Sequence, residues 1–392
     1  MSKKRQTGSH VLLMLSFLLL LSPVLLSCSQ DSTLGDSATS RQLSFCVSSE
    51  DDWSATRGTP LSVLSGAFGI LGSAYDSWGD GQLPSMMYNE VVQGSGSAWK
   101  TSMGYIPEAS KTMSFFAYYP YSKDIDEPTN ALYMRSGATG VGYPYFDYSV
   151  PENVSDQRDL MVAMADGTFG TDANGYIINK STSEKADIAL QFHHLLAGVK
   201  FKVNDNFDVG KITRVELTNM AYQGTFVYGV HDPETDAEVF NWTGNPKSTR
   251  RTHYAALDFT LTGTGGDTPK ELTDVDEVFM LMPQTINTGT VINVTYNNGN
   301  KDFVISYKLG QKTKSSPITL TRAKLTTFYL NITSIHKMTV RATVMDWGHG
   351  ANFDGGVSDQ DQIELESILK DWDDEDSEGN STTTNIKTGA RD

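Results

Sequence analysis

Apolar positions along this chain alternate far more often than they recur at helical spacing. Met113, Phe115, Ala117 and Tyr119 alternate with their neighbours and stop at Pro120. Ile188, Leu190 and Phe192 alternate in one register, and Leu195, Ala197, Val199, Phe201 and Val203 in the other. A period of two puts such residues on one face of a strand. The phase flips at His193-His194, which predicts a bulge or a tight corner between two strand segments. Val215 and Leu217 precede a run with Phe226, Tyr228 and Val230. Val291 to Tyr296 and Phe303 to Leu309 flank Asn297-Asn298-Gly299-Asn300. Asn-Gly there signals a hairpin, because both residues tolerate positive φ. Phe328, Leu330 and Ile332 alternate, as do Met338, Val340, Ala342 and Val344, and helix-period patterns are nearly absent before residue 360. Many short strands separated by turn residues predict an all-β chain of antiparallel sandwiches, and the length suits two of them.

The first residues follow a different rule. Lys3, Lys4 and Arg5 lead into an apolar run from Val11 that ends at Leu25-Leu26-Ser27-Cys28. This predicts a lipoprotein signal peptide over 1–27, after which Cys28 becomes the N-terminus and carries lipid. The run is shorter than the ~20 residues a membrane span needs, and Pro23 interrupts it. An ordinary signal peptide or an uncleaved anchor is the less favoured alternative. The expected mature chain is exported and tethered at its start, with no second stretch long enough to span.

Charge narrows the partners. The full chain of 392 residues carries −16, and losing the three positive charges of the signal takes it to −19. Such a balance argues against nucleic acid or anionic membrane surface as partners, since phosphate binding needs clustered Lys and Arg. From Ser358 to Asp392 there are eleven acidic and three basic residues, a net of −8. That composition predicts a mobile tail, within which Leu365, Ile368, Leu369 and Trp372 stand at helical spacing. The chain has two cysteines, Cys28 and Cys46. Acylation of Cys28 leaves Cys46 without a partner, so disulfides are expected to play no structural part.

Few residues suggest chemistry. His193 and His194 point to opposite faces of a strand and do not readily share a metal. Asp76 to Gly81 and Asp172-Ala173-Asn174-Gly175 read as turns, because neither continues to the glutamate of a calcium loop. No nucleophile elbow precedes a helix. Trp78, Trp99, Tyr105 and Tyr118-Tyr119-Pro120-Tyr121 are read as core and corner residues in preference to a sugar-stacking face. No catalytic, metal or cofactor site is expected. The leader is more informative. Leu43, Phe45 and Val47 alternate with Ser44 and Cys46, which predicts a strand over 42–48 with one apolar face. Serine, aspartate and glutamate then dominate until Arg57-Gly58, which suits an exposed loop open to a protease.

Several of these pieces together resemble the fimbrillin family, the pilins of Bacteroidia that build type V fimbriae. The matching elements are the signal ending at Cys28, the segment Ala55 to Pro60, and Trp99. They continue with Met113 to Pro120, Leu190 to Ala197, Phe279-Met280-Leu281-Met282-Pro283-Gln284 and Val344-Met345-Asp346-Trp347-Gly348. The resemblance implies two tandem transthyretin-like β-sandwich domains and lipoprotein export. It further implies cleavage by an arginine-specific protease, which removes a first strand and opens a groove for a neighbour's strand. The acidic tail after Val357 departs from the family pattern. Expected divisions are the signal at 1–27, the lipidated leader at 28–57, sandwiches at 58–206 and 207–357, and the tail at 358–392. The boundary between the sandwiches is expected after Val203, where Asn204-Asp205-Asn206 breaks the alternation before the strand at Ile212. The expected role is a non-enzymatic fimbrial subunit at the outer membrane and cell surface. Its partners would be other fimbrial subunits, the outer membrane through Cys28 before processing, and a host or bacterial surface ligand. The alternative is a surface lipoprotein that keeps its leader, as a fimbrial anchor or a glycan-binding module.

Overall fold

The computed structural model describes residues 44–49, 64, 66–75, 87–95, 98–101, 112–135, 144–171, 177–179, 184–185, 188–228, 240, 242–243, 249–266, 268–273, 277–309, 318–346 and 362–363. In chain order these form β1 (Ser44–Ser49), β2 (Gly66–Tyr75), β3 (Met87–Ser95), β4 (Ala98–Thr101), β5 (Thr112–Tyr119), β6 (Leu132–Arg135), β7 (Tyr145–Ser149) and β8 (Met161–Thr171). Then follow β9 (Ile177–Asn179), β10 (Glu184–Lys185), β11 (Ile188–His194), β12 (Ala197–Val203), β13 (Gly210–Ala221), β14 (Gln223–Val227), β15 (Trp242–Thr243) and β16 (Arg250–Leu261). The series ends with β17 (Lys270–Glu271), β18 (Phe279–Leu281), β19 (Gln284–Thr285), β20 (Val291–Asn297), β21 (Asp302–Lys308), β22 (Thr319–Leu320), β23 (Lys324–Ser334), β24 (Lys337–Asp346) and β25 (Gln362–Ile363). The described residues are all-β, with a 3-10 turn at Val154–Asp156.

Alternation explains the strands. In β11, Ile188, Leu190, Phe192 and His194 are buried while Ala189 and Gln191 face solvent. The expected hairpin joins β20 to β21, with Gly299 at φ +91° and Asn297 paired with Asp302. Asn297 Oδ1 accepts from the Gly299 N–H at 2.7 Å, the local hydrogen bond that makes Asn a turn residue.

Strand pairing closes the first sheet on itself. β1, β4, β3, β2, β5, β8 and β11 are neighbours in turn, and β11 returns to β1. Inside this circuit lie Phe45, Phe68, Trp99, Phe115, Ile188 and Phe192, all buried. The second half is a sandwich. One sheet runs β17-β12-β23-β24-β25 with β18 also on β12, and the other runs β16-β13-β20-β21. Phe201, Phe328, Leu330, Val215 and Val294 fill the space between them. A further four-stranded sheet, β15-β14-β7-β6, takes strands from both halves. Its Phe146, Tyr148 and Phe226 share a core with Phe116 and Tyr118 of β5 and Met280 of β18. Within that core Tyr228 donates to the Ala117 carbonyl at 2.8 Å, and Trp242 Nε1 donates to the Leu195 carbonyl at 2.8 Å.

The phase flip at His193-His194 is the corner of the two alternatives, a passage from one sheet to another, and not a bulge within one. β11 pairs with β1 and β8, two buried leucines follow, and β12 pairs in parallel with β23. Phe192 belongs to the first core, Leu195 and Leu196 to the shared one, and Val199 to the last. The division expected at residue 206 therefore falls after β12 has already joined the later sandwich. Asn204-Asp205-Asn206, where the alternation breaks, is held in place by buried hydrogen bonds. The Asp205 side chain is fully buried, accepting from the Thr262 and Gly263 N–H groups at 2.6 and 3.2 Å and from Lys270 Nζ at 2.6 Å. Burial pushes the Asp205 carboxyl up, but Lys270, the Thr262 hydroxyl and these amides outweigh it and hold it at about 2. Gly265 permits this approach, since a Cβ there would lie 2.5 Å from the Asp205 Cβ. The tail also differs from expectation at one point. Gln362 and Ile363 pair with Thr343 and Ala342 of β24, so this part of the acidic segment extends a sheet. The four residues at helical spacing, Leu365 to Trp372, lie outside the described residues.

Candidate functional site

Of the residues singled out in the leader, Phe45 and Val47 lie on β1, whereas Cys28, Leu43, Arg57 and Gly58 lie outside the described residues. β1 sits between two strands. On one side it runs parallel to β11, from Phe45 opposite Ile188 to Ser49 opposite Phe192. On the other it is antiparallel to β4, with Phe45 opposite Trp99. β4 and β11 find their other partners in β3 and β8. Without β1, each would present an unpaired edge, and the two edges would flank a gap floored by the aromatic interior.

The inward face of β1 is graded in size. Phe45 is 1% exposed and reaches across the circuit to β2 and β5. Its ring lies 6.1 Å from Phe68 and 5.9 Å from Phe115, both edge to face. Phe68 in turn contacts Trp99 at 5.3 Å and Phe192 at 5.2 Å. Val47 packs less deeply against the same core, and the last inward position is the small, buried Ser49. Edge-to-face rings gain more than area burial alone, because the positive rim of one meets the negative face of the other. Phe45 is thus the anchor of the strand. Sequence reasoning found this apolar face but not its neighbours; Trp99 was the one available sign, standing as a bulky residue in a short segment between turn residues.

Cys46, on the other face, corrects one expectation. It is disulfide-bonded, although the sequence reading gave disulfides no part. The chain's second cysteine, Cys28, lies outside the described residues. A sulfur that bears a lipid thioether cannot also form a disulfide, so the lipidated precursor proposed below is a chain in which Cys46 is not bonded to Cys28.

The paired histidines serve packing. The His194 ring is fully buried, with Nδ1 2.8 Å from Asp159 Oδ2, while His193 stacks on Phe240 at 3.7 Å. Among the described residues no group of His, Cys, Asp and Glu could hold a metal ion, and no helix is long and apolar enough to cross a membrane. Trp99 and Tyr118 are buried core residues, while Trp78 and Tyr105 lie outside the described residues. Sequence reasoning overlooked His253. It is buried against the segment before β8, with Nδ1 2.8 Å from the Pro151 carbonyl and 3.2 Å from Gln157 Nε2. Burial pushes its pKa down to about 4, against the pull of the Pro151 carbonyl and with help from the charge of Arg251.

Residues 74–347 match the family described as fimbrillin-like. The chain is 26% identical over 205 residues to the fimbrium subunit Fim1C of Phocaeicola vulgatus, a match spanning 49% of this chain and 52% of that one. It thus spans about half the length of this curated relative. Among solved structures it is similar to a fimbrial protein from Bacteroides vulgatus, at 18% identity and TM-score 0.47, covering 78% of this chain and 99% of that one. It is also similar to the tip fimbrial protein Mfa3 from Porphyromonas gingivalis, at 11% identity and TM-score 0.35, covering 78% of this chain and 100% of that one. The family match spans strands from both halves of the fold and most of the sequence motifs noted above, and on it the conclusion rests: this chain belongs to the fimbrillin-like family.

Proposed function

We propose that this protein is a fimbrial subunit that reaches the cell surface as a lipoprotein and assembles by exchanging its first strand for a neighbour's. Its family is one of structural subunits, not enzymes. The observation that carries the reading is the position of β1, which completes a closed circuit between β4 and β11. In this reading a protease cuts at Arg57-Gly58 and the leader, with its lipid on Cys28, departs. The groove left behind has two unpaired edges and an apolar floor, and strand addition supplies both backbone hydrogen bonds and side chains to fill it. Partners are then other fimbrial subunits, and the outer membrane holds the precursor only until the cut. Adhesion to a host or bacterial surface ligand belongs to the assembled fimbria.

Purified precursor treated with an arginine-specific protease should yield Gly58 as the new N-terminus, with the remainder intact. The cut protein should form oligomers, and an Arg57→Ala precursor should not. Material sheared from cells that still begins at Cys28 would sink the exchange reading. An anchor or glycan-binding lipoprotein that retains its leader would then take its place.

A further inference from the structure

We infer that the groove occupied by β1 reads the incoming strand by size and direction: it admits an extended segment of a neighbouring subunit that runs parallel to β11 and presents, on alternate residues, an aromatic, then an aliphatic, then a small side chain. This rests on the exchange reading and adds what that reading leaves open, namely which strands fit. The argument comes from the seat itself. The first inward position places Phe45 against Phe68 and Phe115, in edge-to-face contact with both. A smaller side chain there would leave a void among rigid rings that cannot collapse to fill it. The middle position holds Val47, which is only partly buried. At the far end Ser49 is 3% exposed and sits opposite Phe192, whose ring already packs on Phe68 at 5.2 Å. A bulky residue at that end would meet Phe192.

Direction follows from the same taper. Reversing the strand brings the aromatic side chain to the Ser49 end and a small one to the wide end. One clash and one cavity result, although the reversed backbone could still form hydrogen bonds. Backbone pairing alone therefore does not decide acceptance. The outward residues, Cys46 and Ser48, are half-buried and tolerate small polar replacements.

The test uses full-length protein cut by an arginine-specific protease, freed of its leader in mild denaturant and returned to native buffer. Labelled synthetic peptides of residues 42–50, all with Cys46→Ser, are added and binding is followed by fluorescence anisotropy. The native-order peptide should bind. Phe45→Ala in the peptide should weaken binding about a hundredfold or more, the affinity equivalent of an aromatic-to-alanine truncation in a packed core. Ser49→Phe in the peptide, which keeps Phe45 and puts a second ring at the narrow end in either direction, should show no saturable binding. A Phe45→Ala or Ser49→Phe peptide that binds within about threefold of the native one would overturn the size-and-direction rule while leaving strand exchange standing, as would energy transfer from labels at the two peptide ends that places the bound native-order peptide antiparallel to β11. Failure of every peptide to bind, or a leader that cannot be displaced after the cut, counts against strand exchange itself and the rule with it.

Discussion

Acid should weaken the seam between the two halves of this protein through one residue, His253. Its ring is fully buried, Nδ1 faces the Pro151 carbonyl, and Nε2 has no hydrogen-bond partner among the described residues. Protonation would place a charge and an unsatisfied N–H in a site closed to water. The pKa accordingly falls from 6.5 to about 4 on folding. Because the folded protein binds this proton less readily than the unfolded chain, stability is at its fullest above pH 6.5. It is lost as pH falls toward 4, and this residue contributes no further loss below that. A difference of roughly 2.5 pKa units at 1.36 kcal/mol each amounts to about 3 kcal/mol. Denaturant titrations at pH 7, 5.5 and 4, on the native protein and on His253→Gln, separate this loss from other titrating groups. Glutamine keeps a donor for the Pro151 carbonyl and carries no ionisable ring. The native protein should lose about 3 kcal/mol more than the variant between pH 7 and 4. Equal losses in both proteins would refute the argument.

Three other changes have expected outcomes. Phe45→Ala should destabilise the precursor by about 3–5 kcal/mol, as other buried Phe truncations do, and leave the leader-free protein unaffected; denaturant midpoints before and after cleavage decide, and an unaffected precursor would contradict the anchoring role. Asp205→Ala strands the Thr262 and Gly263 amides and should cost about 2–4 kcal/mol, read by thermal or chemical unfolding, whereas a loss under ~0.5 kcal/mol would mean that water replaces the carboxylate. Deleting everything beyond Val357 removes only the short β25 pairing among the described tail residues, whose hydrogen bonds nearly balance the ordering cost of ~1–2 kcal/mol per residue. The thermal midpoint should therefore move by no more than a few degrees, and a collapse of stability would reveal a tail packed more deeply than β25.

What the sequence made legible, and what it hid, divides along physical lines. The burial alternation of β11, the β20–β21 hairpin and the apolar face of β1 are local properties, because side chains in a strand alternate whatever the strand pairs with. That alternation was enough to identify the all-β class. Strand order did not show, because the parallel pairing of β1 with β11 and the return of β8 to β5 join segments far apart in sequence. The β15-β14-β7-β6 sheet escaped for the same reason, since it borrows two strands from each half. The role of Asp205 did not show, because Asn-Asp-Asn breaks a strand pattern equally well at a boundary and at a buried polar anchor. Only the donors gathered from residues 262–270 distinguish the two. His253 lies in a strand whose neighbours gave no hint that the segment at Pro151 would cover it.

The parallel register of β1 and β11 has a mechanical consequence. A tether at Cys28, as proposed for the precursor, would pull on β1 from its N-terminal end. The body of the protein resists through the C-terminal end of β11, which continues across Leu195 and Leu196 directly into β12 and so into the parallel pairing with β23. Tension applied at opposite ends of two parallel strands acts along them, so the rungs from Phe45–Ile188 to Ser49–Phe192 stretch together and do not open one after another. Pulling at the same end would peel them singly at far lower force. The joint is therefore strongest against drag in the direction in which a surface tether is loaded.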